Sequence, residues 1–268
     1  MSQSLKKIRK ITLVAHDNSG SAILFDKVVN SLDDVQFQMV LTKGLYYKRS
    51  FLGSVIKLLR ESSWSFVFLR YVDLVIYFFK FNSLQKKCLK KGIPIVKTYD
   101  VNSQDIIEKL KAFGPDVLVS LYTMQIYKTP VLKIPRYGAL QVHPSLLPNY
   151  RGLESFFWVL ANNEKETGVS VFLLNQKIDR GPIVRQQVIP ITSEMTANSL
   201  YKKSAIHGGD LLLQSIFDID QDQMNLKEQG KGSYYRMPNR DAFRRFRKLK
   251  RNFYSWRNDP STIKNHSY

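Results

Sequence analysis

The sequence predicts an α/β fold, with a mostly parallel, Rossmann-like sheet that is covered by helices. Apolar runs of strand length alternate with segments whose apolar residues recur at helical spacing. Polar residues or turns follow several of these runs, as is typical of strands whose carboxyl ends meet at one edge of a sheet. Ligands of such sheets bind beyond that edge, so the residues that follow the strands are the candidates for a functional site.

The predicted elements alternate along the chain. Apolar patterns predict strands over residues 8–16, 35–42, 94–98, 117–122, 139–143 and 167–175. Helical spacing predicts helices over residues 21–32, 103–113 and 153–160. A turn with good helix-capping residues, Asn18 and Ser19 among them, separates the first strand from the first helix.

Two segments depart from this alternation. Residues 45–92 lie between strands that a single crossover helix would connect, and their apolar spacing predicts two extra helices. Beyond Gly230 the chain becomes basic, with a helix-like run over residues 241–251 that mixes arginine and lysine with phenylalanine. We therefore expect one domain over residues 1–230, with a helical insertion at 45–92, and a basic C-terminal extension over 231–268.

The charge balance favours anionic partners. The chain has 41 Lys and Arg against 22 Asp and Glu, a formal net charge of +19. Such an excess suits nucleic acid, a phosphorylated small molecule or an acidic membrane surface. The single cysteine, Cys88, excludes an internal disulfide and is typical of a reducing compartment. We find no signal peptide and no apolar run long enough to span a membrane, so we expect a cytoplasmic protein. The basic tail leaves open a peripheral contact with an anionic membrane.

The candidate catalytic residues lie in two loops. His143 ends a predicted strand, and two prolines, Pro144 and Pro148, stiffen the loop after it. Histidine is the side chain best suited to proton transfer near neutral pH. After the next strand, Asp179 stands in a loop beside Gly181. Taken alone, His143 is also compatible with a buried structural histidine and Asp179 with a turn residue.

The two loops resemble those of the N10-formyltetrahydrofolate-dependent formyltransferases. That family includes glycinamide ribonucleotide formyltransferase, methionyl-tRNA formyltransferase and the sugar N-formyltransferases. Its pattern is Asn-x-His-x-Ser-Leu-Leu-Pro, followed after a strand by Asp-x-Gly. The chain matches this pattern at His143, Ser145, Leu146, Leu147, Pro148, Asp179 and Gly181. The resemblance covers residues 8–215 apart from the insertion, and it implies an enzyme with a Rossmann-like fold of the formyltransferase type.

The resemblance implies a reaction in which 10-formyltetrahydrofolate donates a formyl group to an amine. His143 would stabilise the oxyanion or handle the amine proton, and Asp179 would hold the imidazolium or an ordered water. Gln141 stands where the family has Asn, so its amide is carried one methylene further out. This difference leaves open a retuned site, a slower enzyme, or a scaffold that binds without catalysis.

The resemblance also implies the residues that contact the folate. They are Tyr122, Met124, Gln125, Ile126, Ile178 and Gly181. Met124 and Ile126 are at the same time suited to ordinary packing. We predict no metal site, because the 4 histidines are scattered and Cys88 stands alone. The glycine-rich fingerprint of dinucleotide binding is absent after the first strand.

The acceptor stays open at this stage. An amine on a phosphorylated carrier, such as a nucleotide-sugar, is favoured over glycinamide ribonucleotide and methionyl-tRNA. Asn18, Ser19 and Gly20 are candidates for holding an anionic group at a helix N-terminus. The alternative class is an impaired formyltransferase-like scaffold that binds an anionic membrane through its basic tail, or nucleic acid, which is the less favoured partner. The sequence does not predict the oligomeric state.

Overall fold

A seven-stranded sheet forms the centre of the protein. The computed structural model describes residues 5–43, 51–62, 64–80 and 83–254. The strands of the sheet are β1 (Lys10–His16), β2 (Gln36–Thr42), β3 (Ile95–Thr98), β4 (Val117–Leu121), β5 (Ala139–His143), β7 (Glu166–Leu173) and β8 (Ile183–Pro190). Two short strands, β6 (Arg151–Gly152) and β9 (Tyr234–Tyr235), pair separately.

The pairing of the strands confirms the predicted mostly parallel sheet. The strand order is β3-β2-β1-β4-β5-β7-β8. Strands β1 to β5 pair in parallel, whereas β7 runs antiparallel to both β5 and β8. The carboxyl ends of the parallel strands therefore lie at one edge. His143, the last residue of β5, reaches that edge, as the sequence predicts.

Helices cover both faces of the sheet. They are α1 (Ser19–Val29), α2 (Phe51–Glu61), α3 (Trp64–Lys80), α4 (Leu84–Lys90), α5 (Gln104–Phe113), α6 (Thr129–Leu132), α7 (Ser155–Ala161), α8 (Ala197–Asp220) and α9 (Arg240–Lys248). Strand β1 shows why both faces are apolar. Leu13 contributes to one buried cluster with residues of α1 and α8, and Val14 to another with residues of α5.

The described part of the insertion contains three helices, so the prediction of two is wrong. Helices α2 and α3 account for the predicted pair, and α4 follows them. The Ser83 hydroxyl caps α4 by accepting a hydrogen bond from the backbone N–H of Lys86 at 3.4 Å. Asp17, just after β1, ties the insertion to the sheet, because its carboxylate accepts hydrogen bonds from Tyr77 of α3 and from the backbone of Leu84.

The described part of the C-terminal extension packs on the domain. Strand β9 pairs in parallel with β6, and α9 lies against α7. The rings of Phe243 and Phe246 stack on that of Phe157, with centroids 5.9 and 4.7 Å away. The arginine and lysine side chains of α9 are exposed. Residues 255–268 of the predicted extension lie outside the described residues, as do residues 45–50, 63, 81 and 82 of the insertion.

Candidate active site

A cavity of about 1090 Å³ opens at the carboxyl edge of the sheet. Its walls are formed by the loops that follow β1, β4, β5 and β7, together with helices α2 and α3 of the insertion. Eight of the nine site residues predicted from the sequence line it: Tyr122, Met124, Gln125, Ile126, Gln141, His143, Ile178 and Asp179. The structure thus brings the two loops of the sequence motif together in one cavity.

The imidazole of His143 is buried and held in one orientation. Its Nε2 lies 2.8 Å from the carbonyl oxygen of Tyr150, which can only accept a hydrogen bond. Nε2 therefore carries a proton, and in the neutral ring Nδ1 is left as the acceptor. Nδ1 lies 3.7 Å from Oδ2 of Asp179. A proton taken up at Nδ1 would face a carboxylate.

The carboxylate of Asp179 is held in place by its neighbours. Its Oδ2 accepts a hydrogen bond from the backbone N–H of Gly152 at 2.8 Å, and its Oδ1 accepts a longer one from Nε2 of Gln141 at 3.4 Å. The backbone of Asp179 is left-handed, with φ of 49°, a conformation that Asp and Asn tolerate better than most residues. The three predicted catalytic residues therefore form one connected group.

Arg151 holds the backbone of Asp179, and the sequence analysis did not identify it as a site residue. The side chain is 2% exposed and donates to the carbonyl oxygen of Asp179 at 3.1 Å. It also donates to the side chain of Gln229 and to the carbonyl oxygen of Gly230. Arg151 thus joins the loop of Asp179 to the chain segment before β9. Its place three residues after Pro148, in the motif loop, was the available signal.

The predicted folate residues form a different part of the wall. Ile126 and Ile178 are large apolar side chains that are 42% and 45% exposed, which is enough to flank a flat ring. The side-chain oxygen of Gln125 is already engaged within the protein, because it accepts a hydrogen bond from the backbone N–H of Val101 at 3.3 Å. Gly181 does not line the cavity. A Cβ there would lie 1.6 Å from the carbonyl oxygen of Leu173, so this glycine permits a close approach of two backbone segments.

A buried ionic cluster in the wall of the cavity was not anticipated from the sequence. Nη1 of Arg70 lies 3.1 Å from Asp73 on the same helix, and Nε lies 3.6 Å from Oε1 of Glu154, which follows the motif loop. Burial raises the pKa of the Glu154 carboxyl, against the opposing effect of Arg70. The only signal in the sequence was that Arg70 and Asp73 interrupt an otherwise apolar run.

The start of α1, considered as an anion site, is covered by the protein itself. Oδ1 of Asn18 accepts hydrogen bonds from the backbone N–H of Ser21 and from the hydroxyl of Tyr201, both at 2.9 Å. A Cβ on Gly20 would lie 2.3 Å from that hydroxyl. Tyr201 therefore occupies the space over the first turn, which leaves little room there for a phosphate group.

Comparison with known sequences gives matches to one family. The family model described as "Formyl transferase" matches residues 79–216. The bifunctional polymyxin resistance protein ArnA of Wigglesworthia glossinidia brevipalpis is 42% identical over 123 residues, which are 46% of this chain and 19% of that protein. Methionyl-tRNA formyltransferase of Clostridium beijerinckii is 33% identical over 156 residues, 58% of this chain and 51% of that protein. The chain thus spans about half the length of that transferase.

A solved structure shows the same fold. It is the N-formyltransferase of Helicobacter canadensis in complex with folinic acid and dTDP-3-aminofucose. The similarity covers 88% of this chain and 72% of that one, with a TM-score of 0.55 and 20% sequence identity. At this identity the likeness supports the fold, and it agrees with the resemblance carried by the two motif loops.

Proposed function

The chain belongs to the formyl transferase family, and from this premise we propose that it transfers a formyl group from 10-formyltetrahydrofolate to the amine of a small-molecule acceptor. One observation carries the proposal. His143 and Asp179 face each other across 3.7 Å in a cavity large enough for two ligands. When bound, the donor supplies a carbonyl carbon that an amine can attack, and the side chains of the chain handle the charge and the proton.

In this proposal the amine forms a bond to the formyl carbon and its proton goes to His143. The imidazolium would return that proton to N10 of the folate as the bond between the formyl carbon and N10 breaks. Nδ1 is the acceptor, since Nε2 already donates to the carbonyl oxygen of Tyr150. The resulting imidazolium has a hydrogen-bond acceptor or a carboxylate at each nitrogen, Tyr150 on one side and Asp179 on the other. Proton transfer by a positioned side chain contributes about 10²- to 10⁴-fold to a rate.

Gln141 is our candidate for the donor to the developing oxyanion. Its amide nitrogen donates to Asp179 over 3.4 Å, a long hydrogen bond that can be exchanged at little cost for one to a charged oxygen. Glutamine would then take the part that asparagine has in the family pattern. A single donor of this kind is worth about 10²- to 10³-fold in turnover.

The folate is proposed to lie against Ile126 and Ile178. Both side chains line the cavity beside Asp179, and their exposed apolar surface suits the face of a pterin ring. The structure of the Helicobacter canadensis enzyme with folinic acid supports a folate-type donor in this fold. The acceptor then enters from the side of α3 and the loop that follows β1.

For the acceptor we favour an amine on a sugar or a similar hydroxylated carrier. The related proteins carry names with different acceptors, methionyl-tRNA among them, and the Helicobacter canadensis enzyme was solved with an amino-sugar nucleotide. A phosphate on such an acceptor would meet Lys57, Lys177 or Arg236, which are cations among the residues that line the cavity. Glycinamide ribonucleotide and methionyl-tRNA are the alternatives.

The rival to catalysis is a scaffold that binds folate without turnover. The hydrogen bond from Gln141 to Asp179 favours this scaffold, because an amide that donates to Asp179 does not donate to the formyl oxygen. The test combines two measurements on the full chain: equilibrium binding of folinic acid, and release of tetrahydrofolate from 10-formyltetrahydrofolate with a panel of amino-sugar nucleotides. Binding together with amine-dependent release supports the enzyme. Binding without release for any amine in the panel supports the scaffold.

A further inference from the structure

Unpartnered oxygen atoms occur at the end of the cavity that surrounds Tyr201, which contacts Tyr122, Arg70 and the backbone beside Ser19. Among the described residues, five buried side-chain oxygens have no hydrogen-bond partner. Three of them belong to residues that line the cavity, namely Ser19, Tyr122 and Glu154, and the other two belong to Thr167 and Ser204, which do not line it. A buried polar atom without a partner is unfavourable, so a hydrogen-bonding group of a ligand or a bound water is expected at this end. The hydroxyls of Ser19 and Tyr122 can donate or accept, whereas the carboxylate of Glu154 can only accept.

Glu154 is the most demanding of the three, because a carboxyl group costs more than a hydroxyl to bury without partners. Its side chain is only 4% exposed. Oε1 lies 3.6 Å from Nε of Arg70, and the same guanidinium lies 3.1 Å from Asp73. One cation therefore serves two carboxylates, while Oε2 of Glu154 has no partner within the described chain.

Other groups at this end also accept hydrogen bonds. Nδ1 of His16 lies 3.2 Å from the carbonyl oxygen of Thr42, so the neutral ring donates there and leaves Nε2 as an acceptor. Burial lowers the pKa of His16 below 6.5, which keeps the ring neutral at pH 7. Tyr201 covers the first turn of α1, where an anion would otherwise find donors. This end of the cavity is thus suited to a ligand that donates hydrogen bonds.

The position of Glu154 links it to the catalytic group. It lies two residues after Gly152, whose N–H donates to Asp179, and directly before Ser155, whose hydroxyl donates to the carbonyl oxygen of Pro144 beside His143. Its backbone is left-handed, with φ of 55°, which is uncommon for glutamate and tends to persist where a site requires it.

Aromatic side chains of the insertion line another part of the cavity wall. Trp64, Phe68 and Tyr71 line the cavity from α3 and are 65%, 64% and 62% exposed. Their spacing puts them on a different face of α3 from Arg70 and Asp73. Exposed apolar ring faces suit a ligand with an apolar face, such as a hydroxylated ring.

We infer that Glu154 is a specificity-determining residue, whose carboxylate accepts a hydrogen bond from an O–H or N–H⁺ group of the formyl acceptor and disfavours phosphate at this end of the cavity. The inference rests on the proposed function, because it names the chemistry of that acceptor. It places any phosphate of the acceptor away from Glu154, towards the cationic side chains on other parts of the wall.

The experiment compares four probes by titration calorimetry, without folate. Glucosamine offers hydroxyls and an ammonium, glucose only hydroxyls, cyclohexylamine only an ammonium, and glucose 6-phosphate adds a phosphate. The proteins are the wild type, Glu154→Gln, and the control Glu61→Gln, which changes an exposed carboxylate that lines the same cavity. Glu154→Asp serves as a second variant, with thermal unfolding of each protein recorded, should the glutamine variant not fold.

We expect glucosamine to bind the wild type and to lose about tenfold or more in affinity in Glu154→Gln. We expect less than about a twofold change in Glu61→Gln, because exposed charges contribute little. The glucose and cyclohexylamine titrations then assign the interaction to the hydroxyl or to the ammonium. Equal affinity of wild type and Glu154→Gln for glucosamine, no binding of any probe, or a loss of affinity in Glu154→Gln that is larger for glucose 6-phosphate than for glucosamine would overturn the inference.

Turnover is measured separately, so that the two proposals fail in different ways. Release of tetrahydrofolate without any dependence of acceptor binding on Glu154 would remove the inference and keep the transferase. Binding of glucosamine that depends on Glu154, in a protein that neither binds folinic acid nor releases tetrahydrofolate, would keep the subsite and remove the transferase.

Discussion

At the scale of single residues, His143 carries the largest share of the proposed chemistry. Its Nδ1 faces Asp179 while its Nε2 is fixed by the carbonyl oxygen of Tyr150. We expect His143→Asn to lower turnover by about 10²-fold or more, because asparagine cannot take up the proton. The control is His207→Asn on α8, outside the cavity lining, which should leave turnover unchanged. A His143→Asn protein with most of its turnover intact would exclude this residue from proton transfer.

Asp179→Asn separates a catalytic from a structural role. Asparagine tolerates the left-handed backbone found here, so the loop should keep its shape. The charge that supports a protonated His143 is lost, so turnover should fall by about tenfold or more while the affinity for folinic acid changes little. The measurement is kcat beside the dissociation constant of folinic acid, with the exposed Asp105→Asn as control. A parallel fall in both quantities would point to a structural residue.

Sequence patterns identify the catalytic pair but miss the residues around it. His143 and Asp179 belong to short local motifs, and each ends or follows a strand. Glu154 and Arg70 meet only after the insertion folds over the cavity, and neither stands in a local pattern that indicates the contact. The covered start of α1 was missed for the same reason, since Tyr201 reaches it from α8.

At the scale of elements, six of the seven strands of the central sheet were predictable, because short apolar runs bounded by turns are typical of buried strands. Strand β8 was missed, since Arg185, Gln186 and Gln187 interrupt its apolar pattern. Strand β5 has the predicted bounds, and β1, β2 and β3 differ from the predicted ranges only at their N-terminal ends. The insertion was harder, because its helices are apolar on several sides and follow one another closely. Ser83, which caps α4, was the overlooked signal for the third helix.

The aromatic residues of the tail hold α9 on the domain. Phe246 is 2% exposed and stacks on Phe157 of α7. Its ring is therefore not available for insertion into a membrane. We expect Phe246→Ala to lower the free energy of unfolding by about 3–5 kcal/mol, the usual cost of a large cavity. Leu249→Ala, which removes a side chain that is 36% exposed just after the same helix, should cost less than about 1 kcal/mol. Equal values from urea unfolding would mean that the tail does not pack as described.

Asp220, the last residue of α8, fastens the chain that leads into β1. Its carboxylate accepts hydrogen bonds from the backbone N–H groups of Lys6, Lys7 and Ile8 at 2.8, 2.6 and 2.9 Å. Burial raises the pKa of Asp220, but these donors and the charge of Lys7 outweigh it and hold the pKa below the ordinary value of 3.8. Because the folded pKa is depressed, the stabilisation is present above pH 3.8 and is lost as the pH falls through the folded pKa.

The corresponding variant is Asp220→Asn. At neutral pH it should lower the free energy of unfolding by about 1–3 kcal/mol, and the difference from the wild type should shrink as the solution is acidified. Asp222→Asn is the control, because that side chain is 72% exposed. A difference between wild type and Asp220→Asn that grows on acidification would contradict the assignment.

At the scale of the whole molecule, the charge is distributed unevenly. The net charge of +19 predicts anionic partners in general, but composition does not give the position of the charge. Exposed basic side chains lie on α9, whereas the buried ionic cluster of the cavity joins one arginine to two carboxylates. The exposed cations of α9 are therefore accessible to an anionic surface, whereas Phe243 and Phe246 of the same helix are buried against the domain. Among the described residues no helix has both the length and the apolar character needed to cross a bilayer.

The measurement that tests the account most directly is the detection of a formylated product. The full chain is incubated with 10-formyltetrahydrofolate that carries an isotopic label in the formyl group, together with pooled cell metabolites, and the mixture is analysed by mass spectrometry. We predict a labelled N-formyl derivative of a hydroxylated amine that forms with the wild type and is strongly reduced with His143→Asn. A protein that binds folinic acid but labels no metabolite, or labels one equally well in both proteins, would contradict the account.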